Sequence, residues 1–349
     1  MTALPIRLTL STTLALGLLA LPAAAAELRV GLITPPSHQW TQTAQDIAAD
    51  LAKRSAGEIT LVVLPSGQLG SEAQMLQQLQ SGSLDFGMFT LGEFANRNAD
   101  YGVFLAPFIA TDTAAARALL RGDVAQELLG GFRQFGLHGL AFGMAGLREI
   151  VTATPTETAA DLTGQKIRTV PLAPELDFWT LLGATPTPMP LPELYNAFAN
   201  GQVDGMQIDY EGTWNAGYWE HAGEVIASDH MMFPMAAVAS ARGWAQLEPE
   251  AQALVAEVFA TRIDAMVEGY GEIDSRYRAE IEAAGVPVRE VGRDWFEPAV
   301  SAWYDTWRAK TPLLARLEAE AATIDGTETG TEQGTDTGTD TGADTGAKQ

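Results

Sequence analysis

The chain has 349 residues, 46% of them hydrophobic, no cysteine and a formal net charge of −23. That length exceeds a typical single core and favours two lobes. The acidity excludes DNA and RNA as partners, because phosphate binding needs clustered Lys and Arg and none occurs; the lack of cysteine excludes disulfides, thiolate metal sites and cysteine nucleophiles.

Arg7 stands before an apolar run over 8–21, and Pro22 and the alanines 23–26 separate that run from Glu27. These are the basic, apolar and small-residue regions of a secretory signal, with cleavage expected after Ala26. The run is shorter than the roughly 20 apolar residues of a spanning helix, so the expected mature chain is soluble. Residues 28–33 read as a first strand, 40–56 as a helix stopped by Gly57, and 59–64 as a second strand. Ser71 suits the cap of a helix that ends at Gly82, and 84–89 makes a third strand. This β-α-β-α-β opening is a doubly wound half-domain, whose ligands sit beyond the carboxyl ends of the strands. His38, Trp40, Phe89 and Thr90 fall at that edge.

Helices over 114–120 and 124–135 precede a strand at 137–142, and the strand-like run 146–151 carries Arg148 into a second lobe. The stretch 161–214 is the organising one. Its run 166–170 follows the turn signal Thr163-Gly164 and alternates, which puts Arg168 on a short strand. A helix over 172–182 stops at Gly183; another opens at Pro192 and stops at Gly201; a strand returns over 203–207. Then come the aromatic residues Tyr210, Trp214, Tyr218 and Trp219, strands at 224–227 and 236–240, a long helical region over 244–280, a strand at 286–291 and a closing helix over 295–317. Beyond Ile324 the chain turns to short Gly, Thr and Asp near-repeats with few apolar residues, a composition that cannot offset the entropy of ordering. They lack the aspartate-rich nonapeptide pattern of Ca²⁺-binding repeats.

Several blocks fall in one order: Gly57-Glu58-Ile59, Gly67-Gln68-Leu69-Gly70-x-Glu72, Gly82-x-x-Asp85, Ala106-Pro107-Phe108, Asp161-Leu162-x-Gly164-x-Lys166-Ile167-Arg168, Leu182-Gly183-Ala184-Thr185-Pro186-x-Pro188-Met189-Pro190, Glu193-Leu194-Tyr195-x-Ala197 and Asn200-Gly201-x-Val203-Asp204-Gly205. Together they closely resemble the solute-binding subunits of tripartite ATP-independent periplasmic (TRAP) transporters, the DctP-like family, over residues 27 to about 317. The resemblance implies an α/β, two-lobed periplasmic binding protein fold with a ligand cleft between the lobes and a long bridging helix. Residues 1–26 are then the signal peptide, 27–145 plus 234–272 lobe I, 146–233 plus 273–322 lobe II, and 323–349 a disordered acidic tail. It further implies a periplasmic receptor that captures a small organic acid, without cofactor or catalysis, and passes it to a small and a large integral membrane permease subunit.

Arg168 is the residue on which this reading turns. A guanidinium stays charged and presents a planar fork that matches both oxygens of a carboxylate. From the residues alone it could equally be exposed or paired with Asp161; the family's matching arginine makes the ligand salt bridge. Arg148 matches a second arginine that often assists, with a buried ion pair as its alternative role. Gln207 stands where the family commonly carries Glu or Gln. Ile208 replaces the Asn that the sialic acid binders use, an expectation against a sugar acid and toward a smaller or more apolar one. Asp209 could engage a cationic group on a zwitterion, and Tyr210 and Trp214 could wall the ligand or belong to the core. Glu72, His38, Trp40, Phe89 and Thr90 complete the candidate set.

His38, His138, His221 and His230 are scattered, with no metal-binding pattern, and no nucleophile elbow, Walker loop or dinucleotide fingerprint occurs. A secreted hydrolase or lyase on the same scaffold therefore lacks its chemistry. A ligand-sensing receptor that reports to a signalling partner stays open as the alternative.

Overall fold

A computed structural model describes the backbone of residues 26–332 and the side chains of 27–324. The segment read as a signal lies outside the described residues apart from Ala26. The strands are β1 (Ala26–Gly31), β2 (Ile59–Leu64), β3 (Phe86–Thr90), β4 (Leu137–Leu147), β5 (Glu149–Thr152), β6 (Lys166–Thr169), β7 (Thr185–Pro188), β8 (Gly205–Ile208), β9 (Glu224–Ala227), β10 (Met232–Ser240) and β11 (Val288–Glu290). The helices are α1 (Gln39–Arg54), α2 (Glu72–Ser81), α3 (Leu91–Ala95), α4 (Thr113–Leu119), α5 (Asp123–Gly131), α6 (Ala173–Leu181), α7 (Leu191–Ala199), α8 (Tyr210–Asn215), α9 (Ala241–Trp244), α10 (Pro249–Ala283), α11 (Ala299–Lys310) and α12 (Leu313–Glu332).

Two sheets form, ordered β2-β1-β3-β10-β4 and β11-β9-β5-β8-β6-β7. In the first, β1, β2 and β3 run parallel and β10 runs antiparallel between β3 and β4. Its helices start and stop where the local chemistry dictates. Ser71 and Gln74 close a capping box on α2, and Gly82 ends that helix at φ 83°, a left-handed conformation that favours glycine. In the second sheet β6 runs parallel to both β7 and β8. The Thr-Pro-Thr-Pro sequence of β7 is tolerated because β7 is an edge strand, where a missing N–H leaves no ladder bond unmade.

The chain passes between the lobes four times among the described residues. Arg148 alone separates β4 from β5, residues 228–231 separate β9 from β10, and the two crossings pair: Arg148 N donates to Met231 O at 2.8 Å and His230 N to Arg148 O at 3.2 Å. The third crossing is α10, whose 35 residues pack on α1, α4 and β4 at one end and on α8 toward the other. At 1.5 Å per residue it is about 52 Å long, enough to span both lobes. The fourth runs through α11, which packs on α6, and α12, which packs on α4, α5 and the turn at 99–105.

That fourth crossing corrects two expectations. The closing helix over 295–317 is two helices, broken at Pro298 and again at Thr311-Pro312, because proline supplies no N–H inside a helix. Residues 313–322, assigned to lobe II, lie on lobe I: Glu320 accepts from Val124 N at 3.0 Å, at the start of α5, and Arg316 pairs with Glu127 at 2.6 Å. Helical backbone also runs on to Glu332, into the segment expected to be disordered; the rest of that tail lies outside the described residues. No described helix is long and apolar enough to cross a membrane.

Candidate functional site

Arg168 occupies the third position of β6, two residues before the chain leaves the sheet, and is only 2% exposed. Its Nε and Nη2 both donate to Met189 O, at 3.2 and 3.1 Å. Met189 is held there by its own N–H, which donates to Thr169 O at 3.2 Å, and by the flanking Pro188 and Pro190, which keep the backbone extended. One edge of the guanidinium fork is thus fixed by a backbone carbonyl. Of its five N–H donors, both on Nη1 and one on Nη2 are left on the other edge. No ion pair reaches Arg168 among the described residues. Asp161, the partner considered from sequence, instead accepts from Thr158 N and Oγ1 at 2.8 and 3.0 Å. Burial lowers the Arg168 pKa to about 10, which leaves the group charged at neutral pH.

Arg148, 5% exposed, takes the alternative role considered for it. Its Nη1 donates to Asp209 Oδ2, and its guanidinium lies over the Phe233 ring, 3.5 Å from the centroid. Its Nε is buried with no acceptor. Asp209 also caps α8 through Gly212 N at 2.6 Å. Each Asp209 oxygen thus already accepts one hydrogen bond, and its charge is paired with Arg148. Phe233 in turn stacks on Trp40, with centroids 6.3 Å apart, and Trp40 Nε1 donates to Met144 O at 2.9 Å. His38 caps α1, its Nδ1 accepting from Trp40 N at 3.1 Å. Burial lowers its pKa to about 4, so it is neutral beside Glu211 Oε2 at 3.7 Å.

Gln207, on β8, accepts at its Oε1 from Trp179 Nε1 at 2.6 Å, and His230 Nε2 lies 3.2 Å from the same oxygen. Ser228 Oγ lies 2.8 Å from the other ring nitrogen, and burial drops the His230 pKa to about 3. The network therefore assigns a neutral imidazole with its proton on Nε2. Strand alternation sends the next residue the other way: Ile208 joins the second lobe's core with Val151, Leu194 and Val225. It gives no ground for or against a sugar acid.

Two residues outside the predicted set stand in the electrostatic neighbourhood of Arg168. Tyr218 is buried, its pKa pushed up to about 12 by burial although Arg168 pulls it down. Glu175, in the first turn of α6, is 1% exposed, and burial raises its pKa to about 7 against the pull of Arg148 and Arg168. Nothing local marks either one. An acid in a helix's first turn ordinarily reads as a partner of the helix dipole.

The other predicted residues have partners of their own. Glu72 accepts from both Thr90 N and Thr90 Oγ1 at 2.6 Å, a buried pair inside lobe I, and burial raises the Glu72 pKa to about 8. Phe89 is not at the cleft edge; its ring stacks on Phe94, which joins Tyr101, Phe132 and Phe135 in the lobe I core. Tyr210 is buried with Glu149, Arg278, Asp229 and Asp274 as its charged neighbours, the side turned toward the hinge and α10. Trp214 stacks on Trp219, centroids 5.0 Å apart, against the second lobe's core. A groove of about 780 Å³ runs between α4 and α10, lined by Arg117, Arg121 and Asp264 and not by Arg168.

The lobes meet around the Arg168 end. Asn96 Nδ2 donates to Pro171 O at 2.9 Å and Ala173 N to Asn96 Oδ1 at 3.1 Å, while Gln39 N donates to Glu211 Oε1 at 2.8 Å. Gly92 approaches Leu172 so closely that an added Cβ would lie 2.4 Å from Leu172 Cδ1.

The family model described as "DctP: Bacterial extracellular solute-binding protein, family 7" matches residues 30–310. The 2,3-diketo-L-gulonate-binding periplasmic protein YiaO of Escherichia coli is 28% identical over 286 residues, covering 77% of this chain and 87% of that protein. A TRAP periplasmic solute-binding protein from Xanthobacter autotrophicus, solved with bound β-D-galacturonate, is 29% identical with a TM-score of 0.79, covering 84% of this chain and 98% of the other. A similar protein from Pseudomonas putida with bound D-glucuronate is 26% identical, TM-score 0.79, covering 84% and 97%.

Proposed function

The chain belongs to the bacterial extracellular solute-binding protein family 7, the DctP family, and we propose that it is a periplasmic receptor that clamps the carboxylate of a small organic acid on Arg168 and delivers the acid to a TRAP permease of a small and a large membrane subunit. The observation that carries this reading is a buried guanidinium without a counter-ion among the described residues, fixed by Met189 O and near the contacts between the lobes. Leaving such a charge unpaired is costly, and a carboxylate on the free Nη1 and Nη2 edge completes it with two charge-assisted bonds. The fork therefore engages its ligand end-on, since its Nε side faces the backbone. Closure of the lobes by hinge rotation then follows the differential affinity of the acid for the closed state.

Uronate-type sugar acids are the first candidates. The galacturonate- and glucuronate-bound structures support that choice, as does the diketogulonate named for the Escherichia coli relative. With Ile208 in the lobe core, that residue no longer favours a smaller or more apolar acid. No step of catalysis is required of this site, and the signal-like composition of residues 1–26 supports export across the inner membrane.

Native mass spectrometry of the purified full chain, followed by calorimetry with D-galacturonate, D-glucuronate, malate and succinate, tests the proposal. At least one acid binds reversibly and unchanged. Turnover of a bound acid, or the absence of binding by all four together with no co-purified acid, overturns it.

A further inference from the structure

Glu175 has no task in carboxylate capture, yet the fold invests in its position. Pro174 and Glu175 open α6, and Glu175 Oε2 accepts from Val170 N at 3.1 Å, two residues after Arg168 in the chain. The other oxygen, Oε1, is buried with no hydrogen-bond partner. The carboxyl feels Arg148 and Arg168 but forms no ion pair with either among the described residues; Arg148 is committed to Asp209, and Arg168 to Met189 O. A buried acceptor and a buried guanidinium edge are therefore both incomplete at one end of the second lobe.

We propose that Glu175 reads a hydroxyl group set close to the carboxylate of the captured acid: Arg168 holds the carboxylate, and the hydroxyl donates its hydrogen bond to Glu175 Oε1. A buried acceptor left without a donor costs about 1–3 kcal/mol. The donor must come from the ligand or from a proton on Glu175 itself, and burial places that carboxyl at about 7, balanced between the two states. A hydroxyl fits better than an ammonium, because an ammonium adds a third cation beside two guanidiniums while the nearby Asp209 is already paired. Glu175 thus acts as a specificity-determining residue that rejects the deoxy analogue by leaving its own oxygen unpaired. This inference rests on the acid-receptor reading above.

The test is calorimetry on the full chain with matched probes that differ by hydroxyl content: malate against succinate, glycerate against propionate, and D-galactonate against hexanoate. Wild-type protein is expected to bind the hydroxylated member of at least one pair about tenfold or more tighter, the effect of one satisfied buried acceptor. In Glu175→Gln, which keeps an acceptor for Val170 N, and in Glu175→Leu, which does not, that preference falls to within about threefold, a difference of under 1 kcal/mol. Repeating the wild-type titration at pH 7 in two buffers of different ionisation enthalpy is expected to show more proton release, or less uptake, with the hydroxylated acid than with its deoxy partner, because the donated bond favours ionised Glu175; both variants lose that difference. A preference that survives both substitutions, equal affinity within every pair, or equal proton exchange by the two members of the preferred pair overturns the inference. Arg168→Met separates the two levels: if it binds the acids as the wild type does, the acid-receptor reading has failed, whereas lost binding in Arg168→Met with an unchanged preference in the Glu175 variants condemns the Glu175 assignment alone. If no probe binds the wild type, the Glu175 assignment falls, and the acid-receptor reading falls with it only when D-galacturonate and D-glucuronate also fail to bind and no acid co-purifies.

Discussion

Replacing Arg168 gives the most direct measure of the site. With Nε and Nη2 bound to Met189 O, the free edge offers a carboxylate two charge-assisted bonds from Nη1 and Nη2. At about 1.5–3 kcal/mol each they contribute about 3–6 kcal/mol, a factor of about 10² to 10⁴ in dissociation constant. Arg168→Met removes both bonds and the charge, so the full factor is expected. Arg168→Lys keeps a charge but has one nitrogen to serve both Met189 O and the ligand, and a loss of at least about 10² is expected. Stability moves differently. A buried guanidinium without a counter-ion is neutral or unfavourable for the unliganded fold, so Arg168→Met leaves the unliganded melting temperature unchanged or higher. The ligand-induced rise in melting temperature disappears with it. Calorimetry with the tightest-binding acid of the panel reads the affinity, and a thermal scan with and without acid reads the stability. A lysine variant within about threefold of wild-type affinity, under 1 kcal/mol, refutes the end-on fork.

Closure can be perturbed without touching the acid. Asn96→Ala removes two hydrogen bonds across the mouth, Asn96 to Pro171 O and Ala173 N to Asn96, and is expected to weaken acid binding about five- to thirtyfold through faster dissociation, as loss of about 1–2 kcal/mol from the closed state requires. Stopped-flow dissociation rates check it, and an unchanged rate refutes it. Gly92→Ala inserts a methyl where Leu172 Cδ1 lies 2.4 Å from the Cβ position, so closure is hindered and affinity falls. Adding Leu172→Ala is expected to restore it, and affinities that merely add up in the double variant deny that this contact belongs to closure. The pH dependence of stability has a defined sign. Burial raises Glu72, Glu211 and Asp274 to about 8, so the folded chain holds protons that the unfolded chain, with ordinary carboxyl values, releases. The stability these groups contribute is complete below the ordinary carboxyl range and is lost as pH rises toward 8. Neutral His38 and His230, lowered to about 4 and 3, act oppositely only below about 6.5. The melting temperature of the unliganded chain is thus expected to fall between pH 6.5 and 8, and Glu72→Gln to flatten that fall; a rising or flat wild-type profile contradicts the assignment.

Much of this architecture is legible in the sequence because it is local. The turn at Thr163-Gly164 and the alternation after it place Arg168 on a strand, Ser71 and Gly82 bound α2, and Gly201 follows the end of α7. What was not legible is what the lobes bring together. The acceptor on Arg168 is a backbone carbonyl, Met189 O, delivered by the pairing of β6 with β7. Glu175, Tyr218 and His230 come from a helix start, a short turn and a crossing loop, and each looks ordinary in its own segment. Ile208 misled for a different reason. It stands one residue from Gln207, and on a strand that single step exchanges the network face for the core face. The lobe membership of α12 depends on α4 and α5, nearly 200 residues earlier in the chain; it packs on both, and its Glu320 and Arg316 bond to α5.

On the proposed reading, the buried guanidinium that would hold the ligand also gives an acid a reason to drive the lobes together. Closing the crevice removes water from Arg168, and without an anion the cost of that desolvation opposes closure even as Asn96 and Glu211 make their bonds across the gap. A carboxylate turns that penalty into a gain, since the attraction between the paired charges strengthens as water leaves. Four crossings join the lobes among the described residues, two of them tied directly to each other at Arg148 and residues 230–231, which favours a hinge over independent movement of the lobes. The many acids of the body do not undo the effect. Glu211 and Asp274, with burial holding both at about 8, are largely uncharged at neutral pH, and Asp209 is neutralised by Arg148, which leaves Arg168 as the cation whose field an incoming anion meets.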